Sequence, residues 1–378
     1  MRRRGLIAVA TAIACSALCG ALAVPAVAAP PKLQRALNQI VSAPDGPPGI
    51  SVLIDRGPHD EFLRAGVADV RRGRPPGSNE HVRIASVSKG FNAVVAISLA
   101  EGARSLRLGD TLGETIPGVL PNAEGVTLRQ LLQHTSGLAD YIKAPAFLER
   151  FVADPAAYLA PTELTQFVRD EPLEFTPGSR YHYSDTDNVA AGLMEEAASG
   201  RSYEQLLRSE IFKPLGMRGS SLPRTVAMPR PFMHGYEIEA SGLTEDVSEL
   251  VNPAGAWASG GIVSTPADLS RFVAAYVPIV LRGTRHLSGA FRPGSSSPPG
   301  PGRNAAGIGI FRYSTGCGTV YGHTGSFPGY RAFIAASADG SRSVVFIVNS
   351  QIVPGQGSQR VSDAIRGAQT RAVCRALG

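Results

Sequence analysis

The chain has 378 residues, 43% of them hydrophobic, with 37 Lys and Arg against 31 Asp and Glu and a formal net charge of +6. Arg2, Arg3 and Arg4 supply half of that excess, and no basic cluster follows them, which excludes nucleic-acid binding through surface charge. The length suits one large or two modest domains, and no apolar stretch after the first thirty residues is long enough to span a bilayer.

The first segment reads as a secretory leader. Three arginines precede an apolar run from Leu6 to Val24, and Ala26-Val27-Ala28 supplies the small-x-small pattern for cleavage after Ala28 or Ala29. Residues 1–29 are therefore a signal peptide, and the mature chain is expected outside the cell. Cys15 follows Ala12-Ile13-Ala14, which lacks the usual Leu of a lipobox and speaks against a lipid anchor.

Two strands follow, Gly49 to Ile54 and Glu61 to Val70, separated by a Gly-Pro turn. Ser86 to Ala100 reads as a helix, with Val87, Phe91, Val94, Val95 and Leu99 at helical spacing and Gly102 as a stop. From about 105 to 275 the patterns are mostly helical, at Leu128 to Gln133, Leu164 to Val168, Val189 to Ala198, Tyr203 to Phe212 and Ala267 to Tyr276. Residues 284 to 306, rich in Gly, Pro, Ser and Arg, read as a long exposed, flexible loop. Three more strands, Thr319 to His323, Tyr330 to Ala336 and Ser343 to Asn349, lead to a final helix from Gln359 to Leu377. The pattern predicts a discontinuous α/β domain from 30–104 and 306–378, with an antiparallel sheet, interrupted by a mostly helical domain at 105–305. A cleft between such lobes is a natural active-site position.

Cysteine usage agrees with export. Cys15 and Cys19 leave with the leader. Cys317 and Cys374 remain, and an even pair in an oxidising compartment reads as one disulfide, two free buried thiols being the alternative. No Cys or His pair has zinc-ligand spacing, so neither a metal nor another cofactor is expected.

Three short motifs could carry chemistry. In Ser86-Val87-Ser88-Lys89 the first and last residues share a helix face, and the first-turn N–H groups favour developing negative charge. A serine becomes a nucleophile when a neighbouring base takes its proton, and a desolvated lysine can do so. Tyr183-Ser184-Asp185 lies in a turn-rich segment before a helix, where a tyrosine can shuttle a proton. Tyr321-Gly322-His323-Thr324-Gly325-Ser326 ends a strand, and its glycines admit the close approach of another backbone or a ligand. Each motif alone is weak: a capping serine with a solvated lysine, a loop tyrosine and a structural histidine are the bland readings.

In order and spacing the three together resemble the penicillin-recognising serine hydrolases: class C β-lactamases, D-alanyl-D-alanine carboxypeptidases and related esterases. Leu131-Leu132-Gln133-His134-Thr135-Ser136-Gly137-Leu138, Ile211-Phe212-Lys213-Pro214-Leu215-Gly216-Met217 and Ala254-Gly255-Ala256-Trp257-Ala258-Ser259-Gly260-Gly261 are similar to the same family. The resemblance covers residues 45 to 376 and is nearest to secreted actinomycete D-Ala-D-Ala carboxypeptidases, which carry His-Thr-Gly and a cysteine shortly before it. It implies a β-lactamase/transpeptidase-like α/β fold, a five-stranded antiparallel sheet flanked by helices with a mostly helical insert. It also implies that Ser86 attacks and is acylated, and that Lys89 and Tyr183 share the proton transfers. The N–H groups of Ser86 and Ser326 would form the oxyanion hole. His323, Thr324 and Ser326 would line the substrate strand, with His323 partly charged near pH 6.5. Trp257 would wall the cavity, with a core tryptophan as the alternative, and His134 would support the fold. Arg312 would meet a substrate carboxylate, with a solvated strand-end arginine as the alternative.

Asp185 departs from the family's usual Asn. An amide donates and accepts, whereas a carboxylate only accepts unless protonated, and it places a negative charge beside Lys89. This weakens the peptidase assignment, since Asp occurs in some esterase-like members. The expected function is that of an exported, monomeric D-Ala-D-Ala carboxypeptidase acting on peptidoglycan stem peptides and binding β-lactams. An esterase or β-lactamase of the same fold is the alternative, and a non-catalytic penicillin sensor a more distant one. Neither the Glu-x-x-Leu-Asn of class A β-lactamases nor a Gly-x-Ser-x-Gly elbow is present.

Overall fold

Alternating apolar residues at both ends of the chain build one seven-stranded antiparallel sheet in the computed structural model, which describes residues 32–58, 60–101, 105–238, 244–283, 291–292, 300–351 and 359–378. The strands are β1 (Gly49–Asp55), β2 (Glu61–Gly66), β3 (Arg303–Ala306), β4 (Phe311–Thr315), β5 (Gly318–Phe327), β6 (Tyr330–Ala336) and β7 (Ser343–Val348). Their order across the sheet is β2-β1-β7-β6-β5-β4-β3. The N-terminal pair joins the C-terminal hairpins through β1 and β7, with Ile50 opposite Val348 and Ile54 opposite Val344. The expected leader at 1–29 and most of the loop at 284–306 lie outside the described residues.

The sheet has seven strands rather than the expected five. Arg303–Ala306 was expected in the loop, and Phe311–Thr315 was not among the expected strands. Arg-Asn-Ala-Ala has no β-branched or aromatic signal, and pairing of Ala306 with Phe311 places it in the sheet. Strand β2 stops at Gly66, short of Val70, because Gly66 takes a positive φ and the following amide, that of Val67, donates to the Pro48 carbonyl at 2.8 Å.

Each sheet face is covered by helices. Leu33, Leu37 and Ile40 of α1 (Lys32–Val41) and Val361, Ile365, Ala372 and Val373 of the last helix pack on Val52, Phe333 and Phe346. On the other face Ala332, Ile334, Val345 and Ile347 meet Phe91 of α2 (Ser88–Glu101), which is apolar on nearly every side. That core continues without a break into the helical segment, through Leu131, Leu164 and Met194. Further helices are α3 (Pro145–Ala153), α4 (Asp185–Ser199), α5 (Pro266–Gly283) and the last one, α6 (Gln359–Leu377). A disulfide joins Cys317, just before β5, to Cys374 in α6. Among the described residues no helix is long and apolar enough to cross a membrane.

Candidate active site

Ser86 sits in a single 3-10 turn, Ala85–Val87, that leads into α2. Ala85 adopts a φ of +51°, a left-handed conformation that costs a non-glycine residue about 1–2 kcal/mol and turns the half-buried Ser86 toward the cleft. Strand β5 passes directly behind this turn. A Cβ on Gly325 would lie 2.2 Å from the Ile84 carbonyl oxygen, so glycine there is what permits the approach.

Lys89, one turn on, is fully buried. Its ammonium donates to Ser86 Oγ at 3.1 Å, to Asp185 Oδ1 at 2.6 Å and to the Ser259 carbonyl at 2.8 Å, which matches its three N–H donors to three acceptors. The other serine of the motif is structural: Ser88 Oγ accepts from the Ile262 amide at 3.2 Å.

The segments around His134 and Tyr183 form one laced structure. The His182 amide donates to the His134 carbonyl, the Gly178 amide to the Thr135 carbonyl, and the Thr186 hydroxyl to the Ala139 carbonyl. This sets α4 so that Asp185 enters the cleft and Tyr183 lies under Lys89, whose Nζ is 4.8 Å from the phenol ring centre. Burial, followed by the Asp185 carboxylate, pushes the Tyr183 phenol well above its usual range, with contact to the Ser86 side chain acting in the opposite sense. Tyr183 is thus a neutral O–H group. Behind it, His134 stacks on the Tyr183 ring at 4.3 Å and bonds through Nδ1 to Asp187 Oδ2 at 2.8 Å. Burial drives the His134 pKa well down and that of Asp187 well up, so the pair is held by hydrogen bonding inside the core.

His323 is 1% exposed, with Nδ1 donating to the Thr324 carbonyl at 2.5 Å and the ring edge-on to Phe311. Burial, then the Lys89 charge, lowers its pKa to about 3. The expected partial charge near neutral pH is therefore corrected: His323 is a neutral imidazole there. Thr324 faces the opposite side of β5, beside Tyr313, and does not line the cavity. Ser326 does line it, and its Oγ accepts from Gln351 at 3.2 Å.

A cavity of about 230 Å³ opens beside Ser86. Its walls are Tyr141, Phe147, Phe151, Leu159 and Phe327, and its polar points include Asp185, Arg150, Asp154 and Ser326. Trp257 is not a wall; its ring is buried against Tyr203 at 5.1 Å and over Gly192. Arg312 is not there either, because it lies over the Phe291 ring at 5.3 Å. The guanidinium at the cavity is that of Arg150 on α3, an exposed side chain. Phe147, Arg150 and Phe151 sit at i, i+3 and i+4, a one-face helical pattern that could have been read from the sequence.

An antiparallel sheet between helical layers, with a Ser-x-x-Lys turn packed against an inner strand, is the β-lactamase/transpeptidase-like α/β fold. A family model described as Beta-lactamase matches residues 37–365. The chain belongs to that family. It is 28% identical over 303 residues to "Penicillin-binding protein 4*" of Bacillus subtilis, covering 76% of this chain and 64% of the relative. It is 28% identical over 332 residues to a D-aminopeptidase of Cereibacter sphaeroides, covering 84% of this chain and 60% of the relative. The chain thus spans less than two thirds of the length of either. Among solved structures, a D-stereospecific amidohydrolase from Streptomyces sp. superposes with a TM-score of 0.76 at 28% identity, covering 89% of this chain and 97% of that one.

Proposed function

We propose that the protein is an exported serine hydrolase that cleaves amide bonds of D-amino acid compounds through an acyl-enzyme on Ser86. The observation that carries this reading is the Lys89 ammonium 3.1 Å from Ser86 Oγ at the floor of an apolar cavity. In acylation Ser86 Oγ bonds to the substrate carbonyl carbon while its proton passes to Lys89, which acts as the free amine after its ammonium has given one proton to solvent at the cleft, with the Tyr183 O–H beside it. The carbonyl oxygen takes up negative charge against the N–H groups of Ser86 and Ser326, the approach that Gly325 permits. The C–N bond then breaks, and the amine leaves with the proton. Water attacks the ester and returns a proton to Ser86. The names of the D-aminopeptidase and D-stereospecific amidohydrolase relatives support the stereochemical preference, and the disulfide supports an oxidising compartment.

The test is ammonia release from D- and L-phenylalanine amide, with intact-mass detection of the acyl-enzyme. D-preference and its loss in Ser86→Ala are expected. Turnover that persists in Ser86→Ala, or an L-preference, would overturn the reading.

The D-Ala-D-Ala carboxypeptidase reading is favoured by one observation, the Arg150 guanidinium at the cavity, which can meet a C-terminal carboxylate. Arg150→Ala would then slow cleavage of D-Ala-D-Ala peptides about ten- to a hundredfold and leave D-amino acid amides unaffected. Equal rates in wild type and variant remove that reading.

A further inference from the structure

We propose that Asp185 receives a cationic amine carried on the carbon next to the scissile carbonyl, so that the preferred substrates have a free amino group there. The inference rests on the acyl-enzyme reading above and refines it.

Asp185 stands where the family usually has Asn, and its two carboxylate oxygens have different surroundings. Oδ1 accepts from Lys89 at 2.6 Å. Oδ2 has no hydrogen-bond partner among the described residues, while the Asp185 side chain is 11% exposed and lines the cavity. With Oδ1 engaged, an amide at this position would present an N–H donor to the cavity; the carboxylate presents an acceptor and a charge. An acceptor repels the carbonyl oxygen of an N-acyl group and attracts an ammonium.

Reach is adequate. Asp185 is two hydrogen bonds from Ser86 Oγ by way of Lys89 Nζ. An α-amino nitrogen lies about 2.5 Å from the carbonyl carbon that Oγ attacks, given ordinary bond lengths. Ser86 and Asp185 line the same cavity on either side of Lys89, so a nitrogen this close to the attacked carbon is held near Asp185.

The charges around this wall point the same way. The Asp185 amide donates to Asp140 Oδ1 at 3.1 Å, so a second carboxyl lies beside the first. Asp140 is paired at 3.1 Å with Lys143, whose side chain is 64% exposed. Asp187 is buried behind, on His134. His134 and His323 hold no charge near neutral pH. Lys89 is thus the buried cation that faces Asp185, and it is shared with Ser86. A substrate ammonium would meet the Asp185 oxygen that Lys89 leaves unengaged.

The experiment compares kcat/KM for the methyl esters of D-phenylalanine and N-acetyl-D-phenylalanine. Esters are used because they need only the Ser86 chemistry, so a failure of amide hydrolysis leaves this ratio readable. Wild type is expected to prefer the free amine, and Asp185→Asn to lower that preference about ten- to a hundredfold, chiefly through KM. Any effect of the substitution on Lys89 acts on both esters and cancels in the ratio. An unchanged ratio in Asp185→Asn overturns the inference. So does a wild-type preference for the N-acetyl ester, which needs no variant at all.

Discussion

Replacing Gly325 by alanine should disable the site while leaving the fold standing. The new Cβ would lie 2.2 Å from the Ile84 carbonyl oxygen, where real contacts stay beyond 3.0 Å. The oxygen belongs to backbone and Cβ is fixed directly to Cα, so no flexible side chain can absorb the clash, and β5 must part from the Ser86 turn by about 1 Å. Ser326 N–H is the next amide along and moves with the strand. A displacement of about 1 Å in a reacting array costs roughly 10²-fold in rate, and loss of one oxyanion donor about 10²–10³-fold in kcat. The assay is steady-state hydrolysis of p-nitrophenyl acetate together with the rate of acylation by penicillin, and a melting curve for each protein. Gly367→Ala is the control, since its Cβ would meet only the flexible end of Arg371 on α6. Gly325→Ala with wild-type melting and wild-type acylation would refute the idea that this close approach positions the second donor.

Lys89→Ala should cost about 3–5 kcal/mol as well as activity, because it strands the Asp185 carboxylate; urea unfolding should show the double variant Lys89→Ala/Asp185→Asn regaining most of that loss. The His323 pKa is depressed from 6.5 to about 3, so its contribution to stability is complete above pH 6.5 and is lost as pH falls toward 3. His323→Gln should flatten the acid limb of the stability profile by at most about 1.4 kcal/mol per pH unit below 6.5, and should remove no step from the acylation profile between pH 5 and 7. Glu195 is buried in α4 with both carboxylate oxygens unpartnered among the described residues, and burial raises its pKa well above the usual value. Its ionisation opposes folding as pH rises above 4.5, so Glu195→Gln should raise Tm more at pH 8 than at pH 5; an equal shift at both would show that the acid has a partner when charged.

The sequence carried much of this arrangement because certain residues have few alternatives. Ser86 and Lys89 are three apart at a helix start, and helical geometry alone brings them together. The sheet hairpins were legible from Val, Ile and Phe runs such as Ser343–Val348, whose two faces are both buried. Arg303–Ala306 was illegible because its strand state comes from pairing with β4 and not from its own preferences. Trp257 and Arg312 were misplaced for a related reason. A motif fixes the path of the backbone, but whether a ring faces the cavity or Tyr203 depends on packing partners far away in sequence. The titration of His323 could not be read either, since its lowered pKa comes from burial beneath Phe311 and from Lys89, 234 residues earlier in the numbering.

The pairing of β1 with β7 has a kinetic consequence. Ile50 meets Val348 across nearly three hundred intervening residues, so this ladder brings a large loop-closure entropy that local hairpins and helices avoid. The Ser86 turn follows the N-terminal strands, whereas Gly325 and Ser326 belong to the C-terminal hairpins, so the two halves of the catalytic centre come together only when that closure occurs. During refolding, helical signal should therefore return early and esterase turnover late, and the lag between them would time the closing of the sheet.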